Sequence, residues 1–263
     1  MSSLFVFYQL SFIVAALSAA GLTQIGKHYF SRGNILEIFL LSQLAMLGNL
    51  IAKLYFHDQY SGFLFSYALF AAGKYILHRI TIKNNKKNNF MVGGYLILSS
   101  LQYLLISYFP QLDSHMSIGF FGNMVTASKF ENILAISSFI LFGISYRVLA
   151  KAINRRTFEI SVLGSTKQSL IELFLFTIPL ITSLYVLGFL YTMSFLMLPA
   201  LILGASFKSE KGATITLIPI AMFAAMLGLA ASIIFERIST TPIQIIILAL
   251  LLYVVKAILS KIK

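Results

Sequence analysis

The stretch KAINRRTFEISVLGSTK (Lys151–Lys167) lies between two apolar segments that are each long enough to cross a bilayer. It concentrates positive charge on Lys151, Arg155, Arg156 and Lys167. By the positive-inside rule, a short basic connection between membrane segments lies on the cytoplasmic side. This alternation of apolar, basic and apolar sequence predicts a polytopic membrane protein.

The same loop also carries apolar side chains. A short helix-like run contains Phe158, Ile160, Val162 and Leu163. Gly164 follows this run, as glycine commonly follows the end of a helix. Because exposed apolar patches often mark contact with a partner, we interpret the loop as a docking element for a cytoplasmic protein. The alternative is an ordinary basic connector that only fixes topology.

The composition of the whole chain agrees with a membrane protein. Of its 263 residues, 59% are hydrophobic and 11% are charged, and the formal net charge is +12. A soluble core of this length cannot hide so much apolar surface. Most Lys and Arg fall in loops on one side, which is a topology signal rather than a nucleic-acid-binding face. The absence of cysteine excludes disulfide and thiolate–metal chemistry.

Apolar segments set the predicted architecture, an all-α integral membrane bundle of eight to nine transmembrane helices in one domain, residues 1–263. The nine segments cover about 3–22, 34–55, 60–79, 90–110, 131–150, 168–186, 188–207, 213–235 and 242–260. Most approach the roughly 20 residues that a spanning helix needs, and the count is eight if the first lies in the interface. The sixth and seventh are almost continuous, so the chain turns back near Leu187–Gly188 or contains a broken helix.

Polar sequence between these segments predicts connections. Lys27 and Arg32 fall in the first connection, and we interpret Asn84–Asn89 as a polar hinge before the fourth segment. The sequence contains no phosphate-cradling glycine loop, nucleophile elbow or HExxH motif. It is therefore not predicted to be an enzyme.

Ionisable groups within apolar segments are costly and usually functional or paired. Lys53 lies four residues after Asn49 and eleven after Ser42, so these three side chains share one helical face. The face either lines a passage or combines a snorkelling lysine with polar groups that join helices. We expect Lys74 to snorkel and Glu172 to be a solvated or capping carboxylate at the cytoplasmic end.

Four landmarks follow one another along the chain. They are NNFMVGGYLILSSLQYLLIS (Asn88–Ser107), GFFGNMVTAS (Gly119–Ser128), the Lys151–Lys167 loop and GFLYTMSFLMLPALILGASF (Gly188–Phe207). In this order they resemble the integral-membrane permease family of metal-type ABC importers, those for zinc, manganese or iron. The second resembles the family's outer Leu-Phe-Gly-Asp signature, and the third occupies the place of its short cytoplasmic coupling helix.

The resemblance implies a permease that moves a divalent metal ion inward by alternating access, in a bacterial-type plasma membrane. A separate ATPase would bind ATP, a substrate-binding protein would deliver the ion, and the permease would form a homodimer without a cofactor of its own. The implied ATPase-coupling residues are Arg155, Arg156, Phe158, Glu159, Val162, Leu163 and Gly164. The alternatives are a gradient-driven secondary transporter or channel, and a transport-inactive structural subunit.

The chain departs from this family where metal ligands are expected. The run Gly33–Ile38 stands in place of Gly-Asp-x-x-Ser-His, so Asn34 replaces the acid and Ile38 the histidine, while Asn123 replaces the acid of the outer signature. Amide and aliphatic groups are poor ligands for hard and borderline metals, so no metal site is assigned. A translocation pathway is predicted along Asn34, Glu37, Ser42, Asn49 and Lys53, with Glu37 as the candidate substitute ligand.

Overall fold

The computed structural model describes residues 8–56, 59–79, 84–122, 124–125, 127–163, 170–207, 209–235 and 239–262. Within these residues the α-helices α1 to α10 span, in order, Gln9–Ser31, Ile35–Tyr55, Gln59–Arg79, Asn84–Tyr108, Asp113–Phe121, Lys129–Leu163, Leu170–Leu187, Phe189–Leu203, Glu210–Ile234 and Thr240–Ile262. Short 3-10 helices occupy Pro110–Leu112 and Gly204–Ser206.

Six of the described helices are long and apolar enough to cross a membrane by length and composition, namely α1, α2, α4, α6, α9 and α10. Two shorter apolar helices cover Phe174–Leu187 and Phe189–Leu203. The protein is therefore an all-α, multi-pass membrane protein, as the sequence predicts. The predicted count of eight to nine spanning helices is not confirmed.

Helices α1 and α2 form the interior of the bundle. Within the most apolar stretch of each helix, 61% of the residues are buried in α1 and 67% in α2, but only 11% in α4 and 17% in α10. Helix α1 packs on α6, α8 and α9, while α2 packs on α3 and α4. The outward face of α4 exposes Leu96, Ile97 and Tyr103, an apolar surface suited to lipid or to another membrane helix.

Helix α1 ends at Ser31 rather than near residue 22, so the prediction that Lys27 lies in a loop is wrong. The polar end of this helix lies within the bundle because neighbouring helices supply partners. Lys27 Nζ donates a hydrogen bond to Thr214 Oγ1 of α9 at 2.7 Å. Next to it, Gly26 lies against the carbonyl of Leu196 in α8, where an added Cβ would be 1.7 Å from the oxygen.

Two further helical segments differ from the sequence-based prediction. Asn84–Asn89 is the beginning of α4 rather than a hinge; asparagine is a weak helix former, but here the long apolar helix extends back through it. Helix α5, Asp113–Phe121, lies in a stretch that we predicted from the sequence to be a connection on the outer side rather than a helix. Its nine residues are too few to give a clear helical pattern.

The chain reverses between α7 and α8, at the predicted Leu187–Gly188 position. The hydroxyl oxygens of Ser183 and Thr192 lie 2.7 Å apart. Along a continuous helix, nine residues would separate their backbones by about 13.5 Å. The two short apolar helices therefore fold back side by side instead of forming one broken spanning helix.

This reversal packs directly on the end of α5 through two glycines. Gly122 (φ +77°, ψ 168°) and Gly188 (φ +83°, ψ 167°) adopt a backbone conformation essentially restricted to glycine. A Cβ on Gly122 would lie 1.8 Å from the Leu187 carbonyl oxygen, and one on Gly188 would lie 2.3 Å from the Gly122 nitrogen. Two separate sequence landmarks thus meet backbone to backbone.

Replacing Gly188 tests this contact. Gly188→Ala should lower the free energy of unfolding by at least about 1–3 kcal/mol, from backbone strain alone, with a further loss from the collision with Gly122. Thermal unfolding of the purified protein in detergent measures the effect. Gly143→Ala is the matched control, because nothing lies within 4 Å of its added Cβ. Equal unfolding temperatures for the two variants would contradict the proposed contact.

Candidate functional site

The predicted docking loop is the end of a continuous helix. Helix α6 has 35 residues and at 1.5 Å per residue is about 52 Å long, whereas a bilayer's hydrocarbon core is about 30 Å thick. We name residues 151–163 the α6 extension. The predicted short coupling helix is not confirmed: residues 151–163 continue the long helix, and Lys, Ala, Arg and Glu among them are strong helix formers.

One face of the α6 extension exposes most of the residues predicted to couple to an ATPase, whereas Arg156 turns toward Glu172 on the inner face. Arg155, Phe158, Glu159 and Val162 are spaced by three, four and seven residues, which places them on one helical face. Phe158 is 60% exposed and the neighbouring Leu163 is 70% exposed. Arg155 Nε and Glu159 Oε1 form an exposed ion pair at 2.9 Å. Gly164 lies outside the described residues, and the coupling role itself stays a prediction.

The opposite face of the α6 extension is fixed to α1. Ile153 is buried, and the Thr157 hydroxyl donates to its carbonyl oxygen at 2.9 Å. The same Thr157 Oγ1 accepts hydrogen bonds from Arg32 Nε and Nη2 at 3.2 and 2.7 Å. His28 Nδ1 lies 2.9 Å from it. Thr157 therefore joins the α6 extension to the end of α1.

A buried ion pair connects the same region to α7. Arg32 and Glu172 are paired, and each side chain is only 7% exposed. Arg156 Nη1 lies 3.6 Å from the other carboxylate oxygen of Glu172. The prediction that Glu172 is solvated or capping is wrong, because Arg32 approaches it from α1. One carboxylate thus connects α1, α6 and α7.

The polar network continues toward the middle of α6, and the sequence analysis missed this part. His28 Nε2 lies 2.9 Å from the Tyr146 hydroxyl, which donates to Asn154 Oδ1 at 3.3 Å. Gln24 Nε2 donates to the same Tyr146 hydroxyl. The spacing of Gln24, His28 and Arg32 by four residues gives a polar stripe on one helical face, a signal that could have revealed the network.

Helix α2 does not bring the predicted pathway residues together. Asn34 and Lys53 stand nineteen residues apart, about 28 Å along a helix. Ser42 is fully buried, and its hydroxyl donates to the Ile38 carbonyl of its own helix at 2.7 Å. Asn49 and Lys53 are partly exposed beside α5, where burial and the charge of Lys53 lower the pKa of His115.

Glu37 is engaged by a cation of the chain itself. It forms a buried ion pair with Lys74 of α3, and the two side chains are 5% and 4% exposed. Lys74 Nζ also lies 5.6 Å from the centre of the Tyr29 ring. The prediction that Lys74 snorkels is therefore wrong, because its ammonium group has partners inside the bundle.

The positions that differ from the expected metal ligands are not assembled into a site. Ile38 belongs to the hydrophobic core, and Asn34 precedes α2 without capping it through its side chain. Asn123 lies outside the described residues. In the part of the chain that the structure describes, no group of three or more His, Asp or Glu side chains could hold a metal ion.

With this geometry established, the fold can be compared with known proteins. The chain has the fold of PsaBC. The structure of PsaBC from Streptococcus pneumoniae in complex with Fab matches 94% of this chain and 89% of its own, with a TM-score of 0.73 and 15% sequence identity. The resemblance to metal-type ABC permeases is thereby confirmed at the level of the fold. No family model and no curated protein matches the chain.

Glutamine variants of Glu172 and Glu159 test whether the inner and the exposed faces of the α6 extension differ in their contribution to stability. Glu172→Gln should cost about 3–5 kcal/mol of stability, because it leaves Arg32 buried without its counter-charge. Glu159→Gln should cost at most about 0.5 kcal/mol, as expected for an exposed i,i+4 pair. Denaturant unfolding in detergent measures the free energy of unfolding of both variants. A Glu172 variant as stable as the Glu159 variant would refute the buried pair.

A double-mutant cycle tests the pair between Glu37 and Lys74. Glu37→Gln and Lys74→Met each remove one partner of a buried ion pair, so each should cost about 3–5 kcal/mol. The double variant should be less destabilised than the sum of the single variants, because neither charge remains. Unfolding measurements on the four proteins give the coupling energy, and strict additivity would show that the two side chains do not interact.

Proposed function

We propose that this chain is the membrane-spanning permease subunit of an ABC importer. The observation that carries the proposal is the fold shared with PsaBC over 94% of the chain. This shared fold agrees with the resemblance of the sequence landmarks to the permeases of metal-type ABC importers. The α6 extension supports the same proposal, since it places an exposed apolar and charged face beyond the predicted membrane span on the basic side.

The proposed ATPase contact centres on Phe158, Val162 and Leu163, all exposed on the α6 extension. A cavity of about 280 Å³ opens beside Phe158, and it is lined on its other sides by Lys27, Asn154 and Phe207 among others. A side chain of the ATPase fits this position. Apolar anchors that enter pockets commonly provide most of the binding energy at an interface.

The inner face of the α6 extension offers a route from the ATPase to the bundle. Thr157 bonds to Arg32 of α1, and Arg156 pairs with Glu172 of α7. A displacement of the extension on nucleotide binding would therefore be transmitted to both helices. We propose that this movement alternates access to a pathway between the two membrane faces, as coupled rigid elements with two arrangements can do.

The remaining parts of the importer are proposed from the same fold. ATP would bind to the separate cytoplasmic subunit, and this permease would carry out no bond chemistry and hold no cofactor. A substrate-binding protein would deliver a divalent transition metal at the outer surface of the plasma membrane. A second copy of the permease would complete the pathway, which is predicted along Asn34, Glu37, Ser42, Asn49 and Lys53.

Replacement of two exposed side chains tests ATPase docking. Phe158→Asp combined with Leu163→Asp should abolish copurification of an ATP-binding subunit with the permease in mild detergent, because carboxylates replace the apolar contact. The control is Tyr108→Asp combined with Phe235→Asp. These side chains are also exposed, but they lie at the predicted outer ends of α4 and α9.

The outcomes separate the candidate functions. Loss of the ATPase only with the Phe158 and Leu163 variant supports the docking surface. Absence of any ATPase from the intact protein contradicts the importer and favours a gradient-driven transporter. Normal ATPase binding without metal uptake indicates a transport-inactive structural subunit.

A further inference from the structure

A small cavity lies where α2 and α5 meet, far along α2 from the cytoplasmic network. Its volume is about 10 Å³, and its lining includes Met46 and Asn49 of α2, Ser66 of α3, and His115 and Met116 of α5. A space of this size holds one water-sized particle. It is the place where the polar stripe of α2 meets a second helix.

Residues of both helices line this cavity. Met46, Asn49 and Lys53 are spaced by three and seven residues and therefore share one face of α2. On α5, His115 and Gly119 are one turn apart on the facing side. The terminal methyl carbon of Met46 lies 3.9 Å from the position of a Cβ on Gly119, so this thioether reaches the surface of α5.

One atom at this place lacks a partner. Asn49 Oδ1 is buried and accepts no hydrogen bond from the described residues. The amide end of the Asn49 side chain packs closely against Gly62. A Cβ on Gly62 would lie 2.5 Å from Asn49 Oδ1 and 3.1 Å from the Tyr185 ring. A buried acceptor without a donor is destabilising, and a bound donor or cation would offset that cost.

The donor set identifies the class of ligand. Two methionines, one histidine and one asparagine line the cavity together with the hydroxyl-bearing Ser66 and Tyr185, and no carboxylate is among the lining residues. Thioethers favour soft ions such as Cu(I), whereas carboxylates and carbonyls favour hard ions such as Mn²⁺.

From this arrangement we propose that Met46, Met116, His115 and Asn49 form a binding site for a soft monovalent cation, Cu(I). The site shares Asn49 with the predicted pathway, and the Cu(I) ion is proposed as an ion bound in addition to the divalent cargo, not as that cargo. It does not depend on ATPase docking, because the purified permease alone contains all of the donor groups. A failure of cation binding and a failure of ATPase docking are therefore separate results.

Titration of the purified intact permease with Ag(I), a redox-stable probe for Cu(I), tests the proposal. The protein should bind a single equivalent, and Met46→Leu combined with Met116→Leu should lower the affinity at least ~10-fold, since even outer-shell changes at metal sites cost that much. Leucine conserves the volume of methionine, so the variant should remain folded. His115→Ala should give a loss in the same direction.

Met226→Leu is the matched control, because Met226 is exposed on α9 and its loss should leave Ag(I) affinity unchanged. Each variant is first compared with the intact protein by thermal unfolding and size-exclusion chromatography. X-ray absorption of the Cu(I)-loaded protein should show sulfur neighbours. Absence of Ag(I) binding, equal affinity in the double methionine variant, or preferential binding of Mn²⁺ at the same residues would overturn the proposal.

Discussion

The buried pair between Arg32 and Glu172 is the interaction on which the predicted cytoplasmic end of this protein depends. Each side chain is only 7% exposed, and an unpaired charge in that position would be strongly destabilising. The pairing requires α1 and α7 to stay in contact, and Arg156 adds α6 to the same carboxylate. The cluster of Arg32, Glu172 and Arg156 therefore joins α1, α6 and α7 on the side of the α6 extension opposite its exposed face. A force applied to that face reaches the interior helix α1 directly.

The outer end is organised by a different constraint, the close approach of two backbones. Gly122 and Gly188 leave no room for a side chain between α5 and the α7–α8 reversal. Backbone polar groups within a membrane must be satisfied by protein or by water, and this contact covers the reversal with protein. Beside it, Phe120 and Phe189 bring their rings to 5.5 Å. Helix α5 is consequently held against α2, where the residues of the proposed cation site line a cavity.

Hydropathy was sufficient to predict a multi-pass helical bundle, because long apolar runs in a membrane have few alternatives to helix. It also located the reversal at Leu187–Gly188, where glycine permits a backbone conformation closed to other residues. Hydropathy did not predict that α6 continues as a helix beyond its predicted membrane span. The basic run after Lys151 indicates a loop by charge, although its residues are strong helix formers.

The sequence could not predict which charged side chains on different helices form ion pairs with one another. Glu37 and Lys74 lie on different helices, and no local pattern indicates that a residue of α3 neutralises a residue of α2. The same holds for Arg32 and Glu172. Met46 and His115 were missed for another reason, since isolated methionines are typical of apolar cores. Only the unpartnered Asn49 oxygen distinguishes that place from ordinary packing.

The central claim is that the exposed face of the α6 extension binds an ATP-binding subunit. Photo-crosslinking from a benzophenone amino acid at position 158 in intact cells tests this contact in the membrane. We expect a covalent adduct with an ATP-binding protein from position 158, and none from the same probe at position 108. An adduct from position 108 alone, or only lipid adducts from position 158, would contradict it.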